Sequence, residues 1–300
     1  MRLAGIVGML LLAAACGGSA GDGSGGGDDD DGTGDGSGDG SADTDGGADC
    51  VAPDVLILLD RTQSMHRRPD GTVPTLDTLD ESKWSIAIAA VESLTGALDG
   101  TIRFGLALFP RDPGGDVCVT LAERVSGTEA TNPDCQAGEI VTEPADATGA
   151  AIAGALDPDT TLLCNTTPIG AGLETAGEEL ARVREPDREQ FVLFVGDGQD
   201  TCNDAAVIDA AQALARDGVR TYVVSFDGSS DGIDGATLND MACAGRTAAG
   251  FPAPCTADAS GDYVAANPAG PALYLQAENA AELDDVLENI STALCCGCVE

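Results

Sequence analysis

Three observations predict an α/β fold for residues 50–300, with a doubly wound, mostly parallel sheet flanked by helices. Short apolar runs alternate with segments of helical periodicity, the pattern of strands joined by crossover helices. Several runs are apolar at every position rather than at every second one, as in strands covered on both faces. Clusters of Asp, Thr, Ser and Gly follow the runs directly, at the carboxyl ends where open parallel sheets bind ligands.

The elements follow in order. Val55-Leu56-Ile57-Leu58-Leu59 is the first strand, followed by a helix over about 82–98 and a second strand over 102–109 that Pro110 stops. Residues 111–140, rich in Gly, Asp, Pro and Thr, read as a loop excursion with one short strand. A helix over 147–156 is expected with Asp146 as its cap. Another runs over 168–183 with Pro168 in its first turn. Phe191–Val195 is a strand, 204–216 a helix ended by Gly218, and 219–226 a strand. A helix over 236–242, a loop holding Cys243 and Cys255, a strand over 272–275 and a helix over 280–294 complete the domain.

Two N-terminal segments stand outside this fold. Residues 1–15 read as a signal peptide: Arg2, an apolar run from Ile6 to Leu12, then Ala13, Ala14 and Ala15. Cys16 follows at once, an arrangement that resembles a bacterial lipobox, although Leu12 lies one position further from the Cys than is usual. The resemblance implies that Cys16 is lipidated and becomes the mature N-terminus. Gly17 stands where a retaining Asp would, so an outer-membrane or cell-surface location is expected in a Gram-negative host. Residues 17–49 carry ten Asp and no basic or aromatic residue, a composition that buries too little to fold and makes an extended, flexible tether.

The formal charge of the chain is -37, which disfavours nucleic acid and anionic membrane surfaces as partners and leaves the lipid as the only membrane contact. Of eleven Cys, ten remain once Cys16 is set aside: Cys50, Cys118, Cys135, Cys164, Cys202, Cys243, Cys255, Cys295, Cys296 and Cys298. An even number behind a secretory signal points to disulfides rather than to zinc, for which there is one His and no spaced pair of C-x-x-C units. Expected pairs are Cys118–Cys135, Cys164–Cys202 and Cys243–Cys255, with Cys50 joined to one of the last three.

The chemistry concentrates after two strands. Asp60-Arg61-Thr62-Gln63-Ser64 leaves the first, Gly196-Asp197-Gly198 leaves the strand at 191–195, and Thr167-Pro168-Ile169-Gly170 opens a helix between them. Together these resemble the metal-ion-dependent adhesion site of von Willebrand factor type A domains, in order, spacing and strand context. The resemblance covers residues 51–294 and implies a Rossmann-like sheet with one Mg2+ or Mn2+ at its top, held by Asp60, Thr62, Ser64, Thr167 and Asp197. It implies direct ligation by Ser64, Thr62 and sometimes Thr167, with Asp60 and Asp197 acting through water or hydrogen bonds. Thr62 replaces a commoner Ser, and Gly196 stands where Thr is common. A hard, octahedral cation bound mainly by neutral oxygens stays electrophilic and can accept a carboxylate from a partner.

The expected function is therefore binding, not turnover: an extracellular or periplasmic protein, presenting a carboxylate, held through the metal. Arg61, Arg67 and Arg68 could steer such a ligand, His66 reads as an exposed loop residue, and Trp84 as packing. Two other readings stay open. Asp60-Arg61-Thr62 with Asp197 faintly resembles a haloacid-dehalogenase-type phosphatase, which also wants a Lys that the strand preceding Asp197 does not supply. A structural envelope protein with no metal-dependent ligand would show no metal dependence in any interaction.

Overall fold

A strand apolar on both faces needs cover on both sides, and the computed structural model, which describes residues 51–131, 135–198, 200–226 and 234–294, provides it. The elements are β1 (Asp54–Asp60), α1 (Lys83–Ala97), β2 (Arg103–Phe109), α2 (Leu121–Val125), β3 (Glu139–Ala145), α3 (Gly149–Ala155), α4 (Ile169–Arg182), β4 (Gln190–Gly196), α5 (Asp204–Arg216), β5 (Arg220–Phe226), α6 (Gly235–Ala244), β6 (Cys255–Ala257), β7 (Tyr263–Ala265), β8 (Leu275–Ala277) and α7 (Ala280–Leu294). The main sheet runs β3-β2-β1-β4-β5-β8, all neighbours parallel except β3, which is antiparallel to β2. This is the doubly wound α/β architecture that the alternation of apolar runs and helices predicts.

Successive side chains of β1 point to opposite faces. Val55, Ile57 and Leu59 join one buried cluster with Phe104 of β2 and with Trp84, Val91, Ile152, Leu283 and Leu287 of α1, α3 and α7. Leu56 and Leu58 join the other with Ile169, Leu173, Val207 and Leu214 of α4 and α5. Trp84 is fully buried packing, as expected.

Several boundaries differ from expectation. The excursion after β2 contains α2, which a capping box nucleates: Thr120 Oγ1 accepts from Glu123 N while Glu123 accepts from Thr120 N. Its strand is the seven-residue β3, an edge strand with half-buried side chains and an irregular register. Pro144 of β3 lies over Gly105 of β2, where any Cβ would stand 2.7 Å from the proline ring. Asp146 does not cap α3. Thr148 occupies that position and its hydroxyl donates to Phe104 O at 2.7 Å, while exposed Asp146 lies 3.8 Å from Arg103 Nε. The last strand is β8 at Leu275–Ala277 rather than 272–275, because pairing with Val224–Phe226 sets its register. The loop between Cys243 and Cys255 leads into a small hairpin of β6 and β7, too short to carry a strand signature.

The disulfides correct two expected pairs. Cys118 bonds Cys164, and Cys135 bonds Cys202. Val119 and Leu163 exchange both backbone hydrogen bonds in an antiparallel bridge. That bridge places Cys118 opposite Cys164, their Cα atoms 4.4 Å apart. Cys243–Cys255 is present as expected. Cys50, Cys295, Cys296 and Cys298, with Cys16 and the tether, lie outside the described residues.

Candidate metal centre

The carboxyl ends of β1 and β4 lie side by side, because the strands pair in parallel with Leu59 opposite Val195. Asp60 ends β1 and Asp197 follows β4, so the two carboxylates meet at one edge of the sheet. Asp60 is fully buried. Its Oδ1 accepts from Thr62 N at 2.7 Å, which folds the chain back just after the strand. Its Oδ2 is buried with no hydrogen-bond partner among the described residues. Gly196 makes room for that carboxylate: a Cβ there would stand 3.0 Å from Asp60 Oδ2 and 2.9 Å from Phe194 Cζ.

A short relay joins the other groups. Lys83 Nζ donates to Asp197 Oδ2 at 2.5 Å, and Ser64 Oγ donates to Asp197 Oδ1 at 3.0 Å. Ser64 has one hydroxyl proton and spends it on Asp197, so Thr62 Oγ1 is the donor in its 2.7 Å contact with Ser64 Oγ. Both hydroxyls keep lone pairs free to face a cation, and the carboxylate behind Ser64 makes that oxygen a better donor to one. Four of the five expected metal residues are thus brought together.

Thr167 arrives by the backbone. Cys164 N–H donates to Arg61 O at 2.9 Å and Gln63 N–H donates to Cys164 O at 2.7 Å, so the loop leading to Thr167 lies along the exit of β1. Gln63 Nε2 donates to Asn165 Oδ1 at 3.1 Å across the same gap. Thr166 adopts φ 65°, a left-handed conformation costly for a β-branched residue, in a region where strain often marks a site. Thr167 N–H donates to Thr201 Oγ1 at 2.8 Å. Among the described residues no hydrogen bond joins the Thr167 side chain to the other four. Asp200, which the sequence reading passed over, braces this side: its Oδ1 accepts from Cys202 N and Asn203 N, each at 2.6 Å, ahead of α5. An Asp four residues before a helix was the available signal.

Burial, and then the negative charge of Asp197, push the Asp60 carboxyl up to about 7. A buried acid with an unpaired oxygen, two hydroxyls and a second carboxylate form an all-oxygen donor set that fits a hard divalent cation. Asp60, Thr62, Ser64, Thr167 and Asp197 are the residues that would hold it. Such a cation would supply positive charge and an open position for an anionic ligand. A different cluster, Asp112 with Cys118 and Cys164, has spent both sulfurs in a disulfide and is no metal site.

Three surface expectations need correction. His66 is buried, its Nδ1 bonded to Gln63 O, and burial lowers its pKa to about 4. Arg61 is buried too: Nε donates to Pro110 O and Nη2 to Glu139 Oε2, both at 2.7 Å, because the residue after β1 turns toward β3. Arg68 is tied to Glu81, Thr78 and Val73, and Arg67 to Gly71 O. These guanidinium groups brace loops. The lysine missing beside β4 comes instead from α1 as Lys83.

The family model of the von Willebrand factor type A domain matches residues 140–254, a span that includes Thr167 and Asp197 but not β1. No curated protein matches the chain. Proximal thread matrix protein 1 from the mussel byssus aligns over 82% of this chain at 15% identity and a TM-score of 0.51. The PilB minor pilin from Streptococcus sanguinis aligns over 81% at 13% identity and a TM-score of 0.50. The chain spans 48% of the length of the mussel protein and 61% of the pilin, and at these identities the likeness is one of fold. The sequence match to the von Willebrand factor type A domain runs from β3 to the loop before β6, and the sheet adds β1 and its Asp60 loop on the side that the resemblance implies.

Proposed function

We propose that this domain binds a protein partner outside the cytoplasm through one Mg2+ or Mn2+ held by Asp60, Thr62, Ser64, Thr167 and Asp197. The observation that carries the reading is the buried Asp60 carboxylate, with Oδ2 unpartnered among the described residues, beside the hydrogen-bonded Thr62, Ser64 and Asp197. An unpaired carboxylate oxygen in the interior costs free energy that a cation offsets. The partner's carboxylate completes the metal shell. The binding domain is carried on residues 16–49, with Cys16 lipidated and the protein displayed at the outer membrane or cell surface. No helix among the described residues is long and apolar enough to cross a membrane.

The test is a pull-down from envelope and extracellular fractions with the full chain, run with Mg2+, with chelator, and with Asp60→Ala as bait. A partner retained only by the wild type with Mg2+ supports the reading; equal retention in all three favours a purely structural envelope role. The phosphatase reading gains one observation, the proximity of Lys83 to Asp197. Against it, the Asp60 nucleophile would be fully buried, and with its carboxyl near 7 it would be partly protonated at neutral pH. Phosphate release from model substrates would revive it.

A further inference from the structure

Lys83 is the one lysine in 300 residues, and the fold puts it in an unfavourable place. It is the first residue of α1, where the helix dipole disfavours positive charge, and it is buried. Its backbone N–H donates to Arg67 O at 2.7 Å, which pins α1 to the loop that follows Ser64. Its side chain ends on Asp197 Oδ2 at 2.5 Å. Burying an ammonium group costs several kcal/mol unless it is paired. Neither helix propensity nor packing requires a lysine here, and a Met would cover the same apolar surface. The pairing with Asp197 is what the position supplies.

We infer that Lys83 is a tethered cation that neutralises Asp197 when no metal is bound, and that a divalent ion must displace it from this carboxylate to load the site. The inference rests on the metal reading above and adds a regulatory element to it. Ser64 and Lys83 share the two oxygens of Asp197, so the ammonium group stands on the same carboxylate that orients a proposed metal ligand. A like charge there lowers the affinity for a cation, and the loaded and unloaded states differ by a movement of one side chain. The site is held in order without metal and is ready to accept it.

Because the lysine is single, it reports on itself. In full-length wild-type protein with 15N-labelled lysine, one Nζ resonance is expected in chelator. Titration with Mg2+ should shift it along the same saturation curve that calorimetry gives for the ion. A resonance unmoved at saturating, calorimetrically bound Mg2+ would overturn the inference while leaving the metal reading intact. Removing the charge is the second arm. Lys83→Met should bind Mn2+ about tenfold more tightly or better, and should melt lower than wild type in chelator, with Mn2+ restoring the difference. Lys83→Arg, which keeps the charge, should retain wild-type affinity. Equal affinity of Lys83→Met and wild type would refute the displacement. Absence of Mn2+ and Mg2+ binding in every variant would sink the metal reading and this inference together.

Discussion

Breaking the Cys118–Cys164 bond should affect both stability and the proposed site, and the two effects can be separated. The bond closes a loop of sequence separation 46, so by the chain-entropy relation its loss should cost about 4 kcal/mol, with the two small buried cavities of a Cys118→Ala/Cys164→Ala variant adding to it. The bond of Cys243 to Cys255 closes a separation of only 12, for which the same relation gives about 3 kcal/mol. Cys164 also exchanges backbone hydrogen bonds with Arg61 and Gln63, so releasing it frees the approach to Thr167. Guanidinium unfolding measures the first effect, and calorimetric titration of Mn2+ the second. The expected result is a larger stability loss for the 118/164 variant, with weakened Mn2+ binding, while the 243/255 variant keeps wild-type affinity. A loss below about 1 kcal/mol for the 118/164 variant, or a Mn2+ affinity that falls only in the 243/255 variant, would refute this reasoning.

Other outcomes follow from the same site. Asp60→Asn should bind no Mn2+ by calorimetry, yet in chelator at pH 8 it should melt higher than wild type, because it removes a buried charge while an amide oxygen can still accept from Thr62 N. The pH dependence of unfolding in chelator has two opposed contributions. Asp60, raised from 3.8 to about 7, stabilises the fold below pH 4 and loses that contribution as pH rises through 7. His66, lowered from 6.5 to about 4, stabilises above pH 6.5 and loses its contribution as pH falls through 4. The two slopes oppose between about pH 4 and 6.5, so Asp60→Asn should lose stability on acidification more steeply than wild type; an unchanged slope in thermal melts would contradict this. Gly196→Ala should destabilise by about 1–3 kcal/mol in urea unfolding and weaken Mn2+ binding, since the new Cβ crowds Asp60 and Phe194.

The central strands were legible because burial on both faces leaves a run with no polar interruptions, as at Val55–Leu59 and Phe191–Val195. The convergence of Asp60, Thr62, Ser64 and Asp197 was legible because a parallel sheet brings the ends of neighbouring strands together, wherever they lie in sequence. What stayed hidden depends on partners distant in sequence. Nothing local to Arg61 announces that it turns inward to Glu139, 78 residues away, or that Lys83 reaches Asp197 across 114. The disulfide partners follow from the bridge between Val119 and Leu163, a pairing of two loop residues with no periodicity to reveal it. His66 looked exposed beside Arg67 and Arg68, yet a single 3-10 turn rotates it under the loop. The capping box at Thr120 and Glu123 was in plain view and went unread because the surrounding Gly and Pro suggested only loop.

The edge strand β3 bears on how copies of this protein behave beside one another. An open sheet exposes unpaired backbone groups at both margins, and these can recruit a strand from another molecule. One margin here is β8, only three residues long and packed by α7. The other is β3, where Pro144 donates no hydrogen bond, the register slips twice against β2, and Glu139 and Glu143 place charge along the strand. Gly105 is what lets the proline ring settle onto the neighbouring strand. A neighbour offering a strand to this margin meets an interrupted ladder and carboxylates already paired, Glu139 with Arg61 and Glu143 with Arg182. Replacing Pro144 is the change that would open this flank to strand pairing between molecules.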